Sequence, residues 1–152
     1  MRVYLAGPLF SDAERAWLDA LAARLRGNGF DVFVPHEQFD DVEVFTPEVV
    51  WERDSAGVRG AEAMLAWLDG PSVDDGTACE IGLFAQLVAA APERHRGIVA
   101  LATDLRLQRT SSVPGAGLNL FVAGAIEAVG TICWSVDEAL QRLRDLRDLR
   151  DL

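Results

Sequence analysis

Glu80 stands in the first turns of a predicted helix, at a position where a carboxylate could take part in chemistry. The surrounding segment 74–82 reads DDGTACEIG and follows the apolar run 63–68, which is predicted to be a strand. In open α/β sheets, ligands bind beyond the carboxyl ends of the strands. A buried structural helix would normally carry an apolar residue here, and Gly76 and Gly82 leave space around the carboxylate. Glu80 is therefore a candidate functional residue.

Three more carboxylates, those of Asp69, Asp74 and Asp75, precede Glu80. Clustered carboxylates can bind a metal ion, exchange protons or attack an electrophilic carbon. A metal would require further oxygen ligands in register, and none is evident. A single glutamate matches the nucleophile of retaining glycosyl transfer, which passes through an oxocarbenium-like transition state. Structural alternatives stay open, because Asp69 and Asp75 read as turn residues beside glycines and Glu80 could be a carboxylate favoured by the helix dipole.

The elements that would position these carboxylates alternate between strand and helix. Strands are predicted at 3–6, 30–34, 63–68, 97–102 and 131–134, and helices at 12–27, 47–60, 77–91, 119–129 and from 136 onward. Ser11 or Asp12 can cap the first helix, and Thr46 can cap the second, whose first position suits Pro47. Longer loops are predicted at 36–46 and 103–117. The alternation predicts a single-domain α/β fold: a doubly wound, flavodoxin- or Rossmann-like sheet of five parallel strands with helices on both faces.

The C-terminal end repeats Arg-Asp-Leu with a period of three. We therefore divide the chain into a domain at 1–142 and a charged, repetitive helical tail at 143–152. Leucines three residues apart drift around a helix instead of forming one stripe. Arginine and aspartate can pair at i,i+4, as in Arg144 with Asp148 and Arg147 with Asp151. We expect a solvated helical end that frays.

Composition favours one packed domain, since the 152 residues are 50% hydrophobic. The net charge of −10 argues against nucleic-acid binding, because phosphate contacts need clustered Lys and Arg. Cys79 and Cys133 lie in apolar segments without metal-ligand spacing, and His36 and His95 stand in unrelated contexts, so we expect buried, reduced thiols and no metal site. No signal peptide or membrane-spanning run is evident, which predicts a cytoplasmic protein without membrane contact.

Three motifs, in this order and spacing, resemble the nucleoside 2-deoxyribosyltransferase family: VYLAGPLF at 3–10, DDGTACEIG at 74–82 and GLNLFVAGAIE at 117–127. The resemblance covers the chain from end to end, apart from the repetitive tail. It implies transfer of a 2-deoxyribosyl group between nucleobases by a retaining double displacement, through a covalent deoxyribosyl-glutamate. The implied partners are 2′-deoxynucleosides and free nucleobases in nucleoside salvage, and no cofactor is implied.

The resemblance also implies roles for individual residues. Glu80 would be the nucleophile that attacks C1′, and Tyr4 would hydrogen-bond and orient it. Asp54 and Gln38 would lie around the base, with Asp54 placed for proton exchange with a base nitrogen. Each has a structural alternative: Tyr4 could be a core aromatic with a satisfied hydroxyl, and Asp54 and Gln38 could be surface polar residues.

Further residues are implied on the sugar side of the site. Asp74 and Asn119 would hold the 5′-hydroxyl, with Asn119 supplied by a neighbouring subunit of a homo-oligomer that is at least a dimer. Gly7 and Gly76 would allow close approach of the substrate. The alternative for Asn119 is a helix cap.

Asp74 bears on the substrate class. A related family of deoxynucleotide hydrolases carries a serine six residues before its nucleophile, where an ionised aspartate would repel a 5′-phosphate. We therefore expect nucleosides to be preferred over nucleoside 5′-monophosphates.

Three other functions stay open. One is an N-glycosidase that uses water as the acceptor of the sugar. Another is a phosphoribohydrolase with a Gly-Gly-x-Gly-Thr-x-x-Glu motif, although Asp74 and Asp75 replace its double glycine here and weaken a phosphate cradle. The third is a non-catalytic nucleoside-binding module, since a fold alone does not imply activity.

Overall fold

The structure is a computed structural model that describes residues 1–107 and 117–149. Within them, five parallel strands form one sheet in the order β2-β1-β3-β4-β5. The strands are β1 (Arg2–Ala6), β2 (Asp31–Phe33), β3 (Ala63–Trp67), β4 (Gly97–Leu101) and β5 (Gly130–Cys133). The helices are α1 (Asp12–Gly27), α2 (Pro47–Gly60), α3 (Asp75–Ala90), α4 (Leu120–Glu127) and α5 (Val136–Asp148). The predicted doubly wound α/β fold is confirmed.

The first two helices begin where their capping residues predict. The Ser11 side chain accepts a hydrogen bond from the Glu14 N–H at 3.2 Å, and the Glu14 carboxylate accepts one from the Ser11 N–H at 2.7 Å. This reciprocal pair satisfies two N–H groups that have no partner inside the helix. At α2, the Thr46 hydroxyl accepts from the Val49 N–H at 3.3 Å, and Pro47 is the first helical residue.

Alternating residues of β1 divide the core between the two faces of the sheet. Val3 and Leu5 belong to the cluster formed with α1 and α5. Tyr4 and Ala6 belong to the cluster formed with α2, α3 and α4. Because successive strand residues point to opposite faces, this alternation places Tyr4 on the side of the sheet that carries Glu80.

Several details differ from the sequence-based prediction. Helix α3 begins at Asp75, two residues earlier than predicted, so Asp75 is the first helical residue and not a turn residue. Cys79 is exposed, which corrects the expectation of a buried thiol, whereas Cys133 is buried as expected. The loop predicted at 36–46 is entered through a short 3₁₀ helix, Pro35–Gln38. Of the loop predicted at 103–117, residues 108–116 lie outside the described residues.

Asp69 ties the end of β3 to the segment that follows β4. Its carboxylate accepts hydrogen bonds from the backbone N–H groups of Thr103 at 2.6 Å and Asp104 at 2.8 Å, and from the Thr103 hydroxyl. These bonds hold together the two strand ends next to the segment that carries Asp74. Asp69 is thus a structural residue, with more contacts than a simple turn residue needs.

The described part of the C-terminal tail packs against the domain, which corrects the expectation of a solvated end. Leu143 is fully buried, and Leu146 packs against the same core cluster. Arg96 donates hydrogen bonds to the carbonyl groups of Leu146 and Arg147 at 2.8 and 2.9 Å. Arg144 bonds to Asn28 instead of Asp148. The predicted partner at position 151 lies outside the described residues.

Candidate active site

Glu80 lies in the second turn of α3, just past the carboxyl end of β3, and its carboxylate faces the sheet. Tyr4, fully buried on β1, donates a hydrogen bond from its hydroxyl to Glu80 Oε1 at 2.5 Å. The two residues are 76 positions apart and meet because β1 and β3 are neighbouring strands. The predicted pairing of Tyr4 with Glu80 is therefore present in the structure.

Burial sets the electrostatics of this pair. It raises the pKa of Glu80 to about 7, while the hydrogen bond from Tyr4 lowers it and the charges of Asp54 and Asp74 raise it further. Burial and the adjacent Glu80 charge raise the pKa of Tyr4 far above its ordinary range. The phenol thus stays protonated and can only donate to the carboxylate, and that hydrogen bond favours the ionised form of Glu80.

Asp54 supplies a second carboxylate with a raised pKa. It lies on α2, and burial raises its pKa to about 6. Its Oδ1 atom is buried, and no hydrogen-bond partner reaches it among the described residues. An unpartnered carboxylate oxygen that titrates near neutral pH is suited to proton exchange with a ligand.

A cavity of about 400 Å³ joins these groups at the carboxyl edge of the sheet. Of the residues predicted to form the site, five line it: Gly7, Asp54, Asp74, Gly76 and Glu80. The space at Gly7 is tight, because an added Cβ would lie 3.0 Å from Leu18 Cδ2 and 3.3 Å from Trp67 Cβ, so these neighbours would have to shift. Glycine at this position lets the loop after β1 pass close to the core and leaves the cavity open.

Sequence reasoning missed the apolar wall of the cavity. This wall is formed by Leu9, Phe10, Phe39, Phe45 and Val50. The aromatic character of the loop at 36–46 was a usable signal for Phe39 and Phe45, whose ring centroids are 5.3 Å apart. Aromatic walls beside a few polar groups suit a planar, partly polar ligand such as a nucleobase.

Asp74 has a structural task as well as a position in the cavity. Its Oδ2 accepts hydrogen bonds from the Thr77 N–H at 2.9 Å and the Thr77 hydroxyl at 3.0 Å, which caps α3. A carboxylate at this end of a helix is also favoured by the helix dipole.

Three predicted site residues do not line this cavity: Tyr4, which reaches it only through Glu80, and Gln38 and Asn119. The Gln38 amide donates to the Val34 carbonyl at 3.1 Å, although its neighbours His36 and Phe39 do line the cavity. Asn119 caps α4, accepting from the N–H groups of Phe121 and Val122 at 2.9 and 3.3 Å. The cap that was the structural alternative for Asn119 is thus present, and within one subunit Asn119 is separate from Glu80.

Across residues 1–107 and 117–149, no three His, Cys, Asp or Glu side chains are grouped so that they could hold a metal ion. In the same part of the chain, no helix combines the length and apolar character needed to cross a membrane.

Comparisons with known proteins add an independent line of evidence. The family model described as nucleoside 2-deoxyribosyltransferase matches residues 3–121. No curated protein matches the chain. Among solved structures, a conserved protein from Enterococcus faecalis V583 is 28% identical, with a TM-score of 0.77 over 95% of this chain and 98% of that chain.

Two more distant structures share the fold. A 2-deoxyribosyltransferase from Bacillus psychrosaccharolyticus is 20% identical, with a TM-score of 0.69 over 96% of both chains. A CMP N-glycosidase from Clostridium botulinum is 19% identical, with a TM-score of 0.59 over 95% of this chain and 98% of that chain. At such identities the likeness establishes the architecture alone.

Proposed function

The chain belongs to the nucleoside 2-deoxyribosyltransferase family, and from this premise we propose that it transfers the 2-deoxyribosyl group between nucleobases by a retaining double displacement. Membership confirms the resemblance inferred from the three motifs, and it supports an enzyme of the nucleoside deoxyribosyltransferase and N-glycosidase class. The observation that carries the finer proposal is the 2.5 Å hydrogen bond from Tyr4 to the buried Glu80 carboxylate. It supplies an oriented nucleophile beside a cavity with aromatic walls.

In the first displacement, an oxygen of the ionised Glu80 attacks C1′ of a bound 2′-deoxynucleoside. The bond from C1′ to the base nitrogen breaks, its electron pair goes to the base, and Asp54 supplies the proton that the departing base takes up. The product is an ester between C1′ and Glu80, together with the free base. Tyr4 holds the second oxygen of the carboxyl group throughout.

In the second displacement, an incoming base attacks C1′ from the face that the first base left. The ester bond breaks, Glu80 recovers its charge, and Asp54 takes the proton that the incoming base loses. Two inversions at C1′ restore the original configuration. These steps require no metal or organic cofactor.

The two carboxylates together hold the single proton that the mechanism uses. Between the pKa of Asp54, about 6, and that of Glu80, about 7, the pair carries one proton, which rests mainly on Glu80. The reactive form, with Glu80 ionised and Asp54 protonated, is therefore the minor arrangement, at roughly a tenth of the singly protonated pairs. The hydrogen bond from Tyr4 favours that form because it stabilises the Glu80 carboxylate.

Asp74 sets the substrate class in this proposal. Its Oδ2 is engaged with Thr77, and its Oδ1 has no donor among the described residues. That oxygen can accept a hydrogen bond from a sugar 5′-hydroxyl, whereas a 5′-phosphate would place negative charge against negative charge. The proposed substrates are therefore 2′-deoxynucleosides and free nucleobases, within cytoplasmic nucleoside salvage.

The proposal also includes a homo-oligomer in which Asn119 of one subunit completes the site of another. Two observations support it. Asn119 lies outside the Glu80 cavity of its own subunit. The residues that follow it, Leu120 and Phe121, are 89% and 88% exposed, which is unusual for large apolar side chains unless a partner covers them.

Gln38 is assigned to the base side of the site, because its neighbours His36 and Phe39 line the cavity.

The decisive experiment traps the covalent intermediate. The protein is incubated with a slow 2′-deoxy-2′-fluoronucleoside, digested and examined by mass spectrometry. The expected result is a sugar adduct on Glu80 and no adduct in the matched variant Glu80→Gln. Tight binding of the nucleoside without any adduct would identify a binding module instead and overturn the proposal.

A second measurement separates transfer from hydrolysis. Base release from deoxyadenosine or thymidine is followed with and without a second base, and the new nucleoside is quantified. Transfer predicts that the second base is consumed as the first is released. Release of free deoxyribose at a rate that added base does not change would favour the N-glycosidase.

A further inference from the structure

Phe33 lies directly beside the tyrosine that holds the nucleophile. It is the register partner of Tyr4 across the β1–β2 pair. The two rings are stacked, with centroids 5.3 Å apart and planes inclined by 16°. Both side chains are buried, so the position of the Phe33 ring limits where the Tyr4 ring can lie.

Gly57 also limits the place of the Phe33 ring. It lies on α2, one turn after Asp54, and is buried. A Cβ atom added at Gly57 would lie 2.5 Å from both Cε1 and Cζ of Phe33 and 2.8 Å from Cδ1. Ordinary carbon contacts lie near 3.5 Å or more, so alanine here would push the ring by about 1 Å.

We propose that Phe33 and Gly57 are positioning residues that act on Glu80 through Tyr4. The backbone of α2 at Gly57 sets the place of the Phe33 ring, the Phe33 ring sets the tilt of the Tyr4 ring, and the Tyr4 hydroxyl thereby stays on Glu80. This inference rests on the proposed function for its catalytic meaning, but the chain of contacts can be tested without substrate.

The geometry explains why a small displacement matters. The hydrogen bond from Tyr4 to Glu80 is short, at 2.5 Å, and the phenol is rigid and fully buried. Hydrogen bonds weaken steeply when their distance and angle depart from the preferred range. A shift of the stacked rings along this path therefore changes the charge state and orientation of Glu80, without any change at the carboxylate itself.

The test compares two glycine substitutions on the same helix. Gly57→Ala forces Phe33 to move, whereas Gly60→Ala meets only the end of the Arg2 side chain at 3.7 Å, an ordinary contact. The Glu80 carboxyl group is titrated by ¹³C NMR in the free protein and identified by its absence in Glu80→Gln. We expect Gly57→Ala to raise its titration midpoint by about one pH unit, the effect of weakening a charge-assisted hydrogen bond. Gly60→Ala should leave the midpoint unchanged.

A double-mutant cycle shows whether the effect passes through the phenol. In a Tyr4→Phe background the hydroxyl is absent, so Gly57→Ala should cause no further change in the midpoint. Equal shifts in both backgrounds, or no shift in either, would overturn the inference. If Gly57→Ala does not fold, Phe33→Leu replaces it, with the same expectation of a shift only when Tyr4 is present.

Activity then separates this inference from the proposed function. With an active wild-type enzyme, Gly57→Ala should lower kcat by about tenfold with a smaller change in KM, because the nucleophile and not the binding wall is disturbed. An inactive wild type whose Glu80 titration follows the expected pattern would remove the proposed function and keep the positioning path. An active wild type in which Gly57→Ala leaves the titration midpoint of Glu80 unchanged would keep the proposed function and remove the positioning path.

Discussion

Asp74 caps α3 through its Oδ2, which binds Thr77, and its Oδ1 stays available to a ligand in the cavity. Its Oδ2 accepts both the N–H group and the hydroxyl of Thr77, at 2.9 and 3.0 Å. The same carboxylate lines the cavity that contains Glu80. Because serine and asparagine also cap helices, the capping task alone does not require a charged residue here. The charge therefore offers a direct way to test the substrate class.

Replacing Asp74 with serine should shift the preference toward nucleoside 5′-monophosphates. The variant Asp74→Ser removes the charge that repels a 5′-phosphate and keeps a hydroxyl that can cap α3, so stability should change by less than about 1 kcal/mol. The measurement is the ratio of kcat/KM for a deoxynucleoside and its 5′-monophosphate. Asp75→Asn, which changes an exposed neighbouring carboxylate, is the matched control. An unchanged ratio in Asp74→Ser would contradict the role assigned to Asp74.

The pH dependence of kcat/KM should be bell-shaped. Below about 6 both Asp54 and Glu80 are protonated and no nucleophile is available; above about 7 both are ionised and the base receives no proton. The midpoints of the rising and falling limbs should therefore lie near pH 6 and pH 7. Each midpoint is a property of the coupled pair and not of one residue. In Asp54→Asn the falling limb should disappear, and the rising limb should report Glu80 alone, below about pH 7 because a neighbouring negative charge is lost. A falling limb that persists in this variant would exclude Asp54 as the proton carrier.

Ionisation of the buried Glu80 carboxyl group should destabilise the folded protein at high pH. Its pKa rises from an ordinary 4.5 to about 7 on folding, so the folded state binds the proton more tightly than the unfolded chain. The associated stability is fully present below about 4.5 and is lost as the pH rises through about 7, by at most about 3 kcal/mol. Denaturant unfolding at several pH values should show this loss in the wild type and much less in Glu80→Gln. Glu52→Gln, on the exposed side of α2, should behave as the wild type does.

A site shared between subunits can be detected by complementation between an impaired and an inactive variant. Asn119→Ser keeps a capping oxygen but shortens the side chain, and it should raise KM or lower kcat/KM by about tenfold or more. Coexpression with Glu80→Gln should restore activity, because a mixed dimer has one site with a native Glu80 and a native Asn119. In a twofold-symmetric dimer with random mixing, about a quarter of the wild-type activity should return. No recovery in isolated mixed oligomers would contradict a site in which Asn119 is supplied by the neighbouring subunit.

Much of the fold was predictable because its signals are local. Ser11, Thr46 and Pro47 mark helix starts by hydrogen bonds and backbone angles that involve residues three positions away. The start of α3 was predicted two residues late, although the signal is local: Asp74 caps the helix, which begins at Asp75. The packing of Leu143 and Leu146 was also missed, because a period of three does not predict a helix face.

The sequence by itself determined the chemical parts of this protein: a glutamate in a glycine-flanked motif, a lone tyrosine on the first strand, and a spacing that indicates the family. These follow from residue types and short-range order along the chain. Only the tertiary structure decided that Tyr4 and Glu80 meet at 2.5 Å, and that Asp54 Oδ1 is buried with no partner among the described residues. It also decided that Phe33 stacks on Tyr4 and that Gly57 lies close to the Phe33 ring. Distances, burial and the pKa values that follow from them depend on which strands are neighbours and which helix covers which face, and no local pattern encodes that arrangement.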